Sequence, residues 1–111
     1  MGEGRGAMTF MLVLQWRGRL LTLDRLMEVE DLIDARLTTA SVEADCDGHD
    51  IGPRECNIFI LTNDPEAVLG VVHPVIRAAN EEAGFAAAYR KIDGNTYRVL
   101  WPTTQQTFDV T

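Results

Sequence analysis

One short stretch, Glu43 to Pro65, restricts the fold more than any other part of the chain. Val42, Ala44 and Cys46 alternate with Glu43, Asp45 and Asp47, the period of a strand with one apolar and one acidic side. Ser41 to Asp47 therefore reads as a strand. Gly48 to Glu55 carries two glycines and Pro53 and reads as a loop joining two antiparallel strands. The returning strand, Asn57 to Thr62 (NIFILT), is β-branched and aromatic. Asp64-Pro65-Glu66 then opens a helix, with a capping acid, proline at the first helical position and a further acid in the first turn. Whatever precedes and follows must accommodate this β-β-α unit.

Upstream, Thr9 to Trp16 alternates with both faces largely apolar, as in a central strand. Leu23 to Leu37 places Leu26, Val29, Ile33 and Leu37 on one helical stripe, with Thr22 or Asp24 as cap and Glu30 at the rim. Downstream, Val68, Val71, Val72, Val75 and Ala79 form the stripe of a second helix. Pro74 falls opposite that stripe, which predicts a bend around Gly70 to Pro74, and Gly84 reads as the stop. Phe85 to Ile92 and Thr96 to Trp101 are strands joined at Asp93-Gly94-Asn95. Thr103 to Thr111 reads as a loose tail and Met1 to Ala7 as a disordered leader.

The order is β-α-β-β-α-β plus a C-terminal strand. That order predicts an α+β, ferredoxin-like split βαβ sandwich, with two helices on one face of an antiparallel sheet. The 111 residues suit a single domain. The opposite sheet face is expected to be exposed or to pair with a second copy, making a homodimer. Trp16, Tyr89, Tyr97 and Trp101 are the aromatics placed to cover it.

Charge narrows the partners. Seventeen acids against 10 bases give a formal net charge of −7, and no basic run occurs. That opposes binding to a phosphate backbone, so no nucleic acid is expected, and it suits a basic protein. The apolar run Met8 to Leu14 is too short to span a bilayer, and Gln15-Trp16-Arg17 follows it where small residues would mark a signal cleavage site. No membrane association and a cytoplasmic setting are expected. Cys46 and Cys56, the two cysteines, make no disulfide scaffold. Equidistant from Ile51, they become cross-strand neighbours if the hairpin folds symmetrically there.

The candidate site is the acidic strand and its loop: Glu43, Asp45, Asp47, His49, Asp50 and Glu55. Alternate acids on a strand project from one side roughly 7 Å apart. Set against a calcium-binding helix–loop–helix, Glu43 takes position one and Gly48 the glycine position, but Arg54 stands where the bidentate glutamate belongs. A metal site built from Asp45, Asp47, His49 and Asp50 is thus the alternative reading, as a metal-binding domain or a small metal-dependent enzyme. His49 and His73 read as ordinary surface residues. No nucleophile elbow, phosphate loop or dinucleotide fingerprint is present, and no cofactor is expected.

A Gly-x-Asp-x-Gly loop (Gly48, Asp50, Gly52), the acid and Asn-Ile-Phe-Ile of Glu55 and Asn57 to Ile60, and the helix-opening Asp64-Pro65 form one pattern. With the closing Tyr-x-Val-Leu-Trp-Pro of Tyr97 to Pro102, it resembles a group of small bacterial proteins without an assigned activity. The resemblance implies no catalytic residue. In size and acidity the chain is also similar to immunity proteins that neutralise toxins. The leading expectation is a non-enzymatic, immunity- or regulatory-type protein-binding module acting through the acidic strand. A homodimeric structural module is a further alternative.

Overall fold

A computed structural model describes residues 8–18 and 21–110. The expected leader over 1–7 lies outside the described residues. The elements run β1 (Phe10–Arg17), α1 (Leu23–Ala40), β2 (Ala44–Ile51), β3 (Glu55–Thr62), α2 (Pro65–Ala78), β4 (Phe85–Lys91) and β5 (Arg98–Trp101). The strands form one antiparallel sheet in the order β2-β3-β1-β4-β5. The fold is α+β, a five-stranded antiparallel sheet with two helices. β1 and β2 run parallel with β3 between them, and β3 and β4 run parallel with β1 between them. Each helix therefore spans a strand that opposes both of its neighbours.

Periodicity explains the helices. The buried residues of α1 are Leu26, Val29, Ile33 and Leu37, the anticipated stripe. Thr22 Oγ1 accepts the Arg25 amide at 3.1 Å, satisfying one of the otherwise orphaned amides of the first turn. In α2 the buried residues are Pro65, Val68, Val72 and Ile76, while Val71 and Val75 are only half-buried. Pro74 is exposed on the opposite side, and the helix continues through it to Ala78.

Gly84 does not stop this helix. Asn80 does, at φ 62°, and the Glu81 amide donates back to the Ile76 carbonyl at 3.0 Å. Asparagine tolerates the left-handed region, so it terminates the helix before glycine is reached. Gly84 is needed for a close approach: at φ +76°, a Cβ there would stand 2.8 Å from the Arg17 carbonyl oxygen. Its own carbonyl accepts the Arg17 amide at 3.1 Å and ties down the end of β1.

Both helices cover one sheet face. Leu12, Leu14 and Trp16 of β1, Cys56, Ile58 and Ile60 of β3, and Phe85 and Ala87 of β4 share a single core with the two helical stripes. Trp16 is fully buried in it, and its indole Nε1 donates to the Glu81 carbonyl at 2.6 Å. Tyr89 and Trp101 also join this core. Three of the four aromatics expected on the far face thus lie on the helical side, because β1, β4 and the end of β5 carry their large rings in that phase.

The far face is covered by the chain's own C-terminal segment. Gln15 Nε2 donates to the Asp109 carbonyl at 2.8 Å, and the Phe108 ring meets Tyr97 at a centroid distance of 5.0 Å. The tail over 103–110 is therefore docked rather than loose. Val13, Ala86 and Ala88 on this face are buried. A dimer built on this face would have to displace the tail. Among the described residues, no helix is long and apolar enough to cross a membrane.

Candidate functional site

The six predicted site residues separate into three places. Glu43 stands just before β2, exposed, with its carbonyl accepting the Thr62 hydroxyl at 2.9 Å. Asp45 is exposed opposite Leu61, and Asp47 is exposed at a β-bulge between Cys46 and Gly48. The bulge inserts one residue and reverses the alternation beyond it. His49 consequently pairs with Ile58 and turns to the helical side, where its Nδ1 lies 3.0 Å from Glu30 Oε1. Asp50 pairs with Asn57 and joins the far face.

The expected loop over Gly48 to Glu55 is instead mostly strand, since β2 runs on to Ile51 and β3 begins at Glu55. The bulge turns His49 to the helical side and leaves Asp50 on the face of Asp45, five residues away, so Asp45, Asp47, His49 and Asp50 do not converge. Among the described residues, no group of three or more His, Cys, Asp or Glu side chains is arranged to hold a metal ion. The hairpin likewise departs from symmetry about Ile51. Cys46 stands opposite Ile60 and Cys56 opposite Ile51, so the thiols are not neighbours, and both are free. Neither histidine is an open surface residue. His73 Nε2 lies 2.6 Å from Glu82 Oε2, and its ring stacks edgewise on Trp101 at 4.5 Å. That hydrogen bond, reinforced by Arg77, holds the Glu82 carboxyl below the usual range.

Glu55 is the largest departure. It was expected beside the loop as an exposed acid and is fully buried. Arg17 is its register partner across β1 and β3, and Arg17 Nη2 reaches Glu55 Oε1 at 2.5 Å. Gln15 Nε2 and Asn57 Nδ2 each donate to Glu55 Oε2 at 3.0 Å. Gln15 Nε2 also lies 3.0 Å from Asn57 Oδ1, so its two hydrogens serve Glu55, Asn57 and the Asp109 carbonyl together. A cavity of about 240 Å³ separates Gln15 and Arg17 from Gln105, Thr107 and Phe108 of the tail. Here a buried carboxylate is neutralised by a guanidinium and bound by two amides, the condition under which burial of a charge is tolerated. The network fastens the tail to the sheet. Its sequence signal was two i, i+2 polar pairs, Gln15/Arg17 and Glu55/Asn57, in otherwise apolar strands.

The exposed acids define a different place. Among the described residues, β2 is an edge strand with a neighbour only on the β3 side. Between it and the end of α1 lies a groove of about 440 Å³ lined by Asp34, Thr38, Glu43, Ala44 and Asp45, among others. Asp34 comes from α1, a contributor that reading the strand by itself did not include. Cys46 reports the same charge: burial first, then the negative charges of Asp34 and Glu30, push its thiol up to about 12. At such an edge, carboxylates and a bulge discourage strand-to-strand aggregation, and they equally suit a cationic side chain.

No protein-family model, curated protein or solved structure matches this chain.

Proposed function

We propose that the protein is a non-enzymatic binding module that receives a basic protein partner at the α1–β2 edge. The observation that carries this reading is the groove of about 440 Å³ lined by Asp34, Glu43 and Asp45, with Asp47 exposed at the bulge beside it. A lysine or arginine of the partner enters the groove, and the net charge of −7 steers the encounter. An immunity- or regulatory-type role is the concrete form of this proposal. The free thiols of Cys46 and Cys56 fit a cytoplasmic setting. The fold reading beside it is a ferredoxin-like split βαβ sandwich with β5 added outside β4; the succession β2-β3-β1-β4 supports it.

The test is affinity capture at low and high salt, with the native chain and with a Glu43→Gln, Asp45→Asn, Asp47→Asn variant. Capture of basic proteins should fall in the variant and in high salt, because exposed charges are screened beyond about 8–10 Å at moderate ionic strength. Equal recovery from both chains rejects the reading.

A further inference from the structure

A second surface lies away from the acidic edge, on the outer side of the helix pair. A groove of about 460 Å³ runs between α1 and α2, walled by Leu32, Ala35, Val75, Ala78 and Ala79, with Arg36 at its margin. Leu32 is 48% exposed. One residue before Ile33, it stands about 100° round from the core stripe, on the flank that faces α2. The surface thus carries both a projecting leucine and an apolar recess.

The charges flanking Leu32 identify what fits. Glu28, Leu32 and Arg36 follow one another in steps of four, so they lie on one line along the helix. An acid precedes the leucine and a base follows it at equal spacing, about 6 Å each way at 1.5 Å per residue. A parallel, in-register copy would set Glu28 against Glu28 and Arg36 against Arg36. An antiparallel copy related by a two-fold axis that crosses α1 at the height of Leu32, displaced toward the groove, sets Glu28 against Arg36 twice. The present contacts of both charges are surface ones that yield to an interface: Arg25 to Glu28 at 3.5 Å, and Arg36 to the Thr39 hydroxyl at 3.3 Å.

We propose that a second copy of this chain docks on the α1–α2 groove in antiparallel, two-fold fashion. Leu32 of each copy seats in the other's recess, and Glu28 of each meets Arg36 of the other. The interface is isologous, as closed dimers require. Asp34 lies two residues, about 200°, from Leu32 on the helix, so both acidic edges remain open in the dimer.

Sedimentation equilibrium of the full chain tests this, with Leu32→Asp, Glu28→Arg, Arg36→Glu and the double reversal Glu28→Arg/Arg36→Glu. The native chain should dimerise. Leu32→Asp should abolish dimerisation, and each single reversal should weaken it on the order of tenfold or more, since two attractions become two repulsions. The double reversal should restore it. A mixture of the two single reversals should form a heterodimer where each one by itself stays monomeric. All three positions are solvent-exposed or half-exposed, and circular dichroism verifies that the variants keep their helices. If Leu32→Asp does not fold, the charge series decides. A native chain that stays monomeric at its highest soluble concentration overturns the proposal. So does a dimer indifferent to the charge reversals, or a double reversal that fails to recover association.

Discussion

The two faces of the sheet are buried by different means. On the helical face, apolar side chains meet apolar stripes: Leu12, Leu14 and Trp16 of β1 share one core with Leu26, Val29 and Ile33 of α1 and with Val68, Val72 and Ile76 of α2. On the far face, an irregular segment lies across a row of polar residues and is held by specific hydrogen bonds, Gln15 to Asp109 above Gln15 to Glu55. The first arrangement is non-directional and tolerates small shifts. The second depends on every partner being present, because a buried donor or acceptor left alone costs its full desolvation. The helical face therefore carries the bulk of the stability. The tail face carries specificity of docking.

That contrast can be broken in several places. The largest effect is expected at Trp16. Trp16→Ala removes a fully buried indole and the hydrogen bond to Glu81, and it should destabilise by about 3–5 kcal/mol in a urea titration. Next comes Glu55. Glu55→Ala removes the acceptor of the Asn57 amide, one of the three acceptors of Gln15 and the counter-charge of Arg17, and should cost roughly 1–3 kcal/mol. Glu55→Gln keeps an accepting oxygen and should cost less, so equal losses would show that the network is not the reason for the burial. Phe108→Ala should be smaller again. Losing the ring pair with Tyr97 is worth about 0.5–1.5 kcal/mol. The expected readout is faster proteolysis within 103–110 while the helical core unfolds at nearly the native urea midpoint. A core that softens in step with the tail would mean that the two faces unfold as one unit.

The smallest effect concerns pH, at Glu82. Its folded carboxyl is held below the usual range, first by the hydrogen bond from His73 and then by Arg77, against the opposing effect of desolvation. A depressed folded pKa means that the contribution is present above the unfolded pKa and is lost as pH falls through the folded one. Glu82→Gln should therefore bring the urea midpoint down at neutral pH and converge with the native chain in acid. Curves that stay parallel throughout would remove Glu82 from the acid response.

The site was legible in pieces. Glu43, Asp45 and Asp47 were recognisable as exposed acids because strand alternation is a local rule, and all three are exposed. His49 and Asp50 were misplaced because Gly48 was read as the start of a loop, whereas it sits at φ 120° beside a bulge inside a strand that continues to Ile51. Glu55 was misplaced because its burial depends on Arg17 and Gln15, some forty residues earlier in the chain. Asp34 was overlooked for the same reason: α1 brings it to the edge of β2 only after folding.

Local chemistry by itself determined the two helices, their N-terminal caps and the succession of strands and helices along the chain. A 3.6-residue stripe, a threonine or aspartate cap and a two-residue alternation depend only on neighbours along the chain. The anticipated stripe of α1, down to Leu26, Val29, Ile33 and Leu37, came from that alone. The tertiary structure decided everything that depends on a partner distant in sequence. It turned Trp16 toward the helices, laid residues 103–110 over the far face, buried Glu55 beneath them and placed Asp34 in one groove with Glu43 and Asp45. Burial and charge pairing are properties of position in space, and positions remote along the chain become adjacent only when the sheet closes its register.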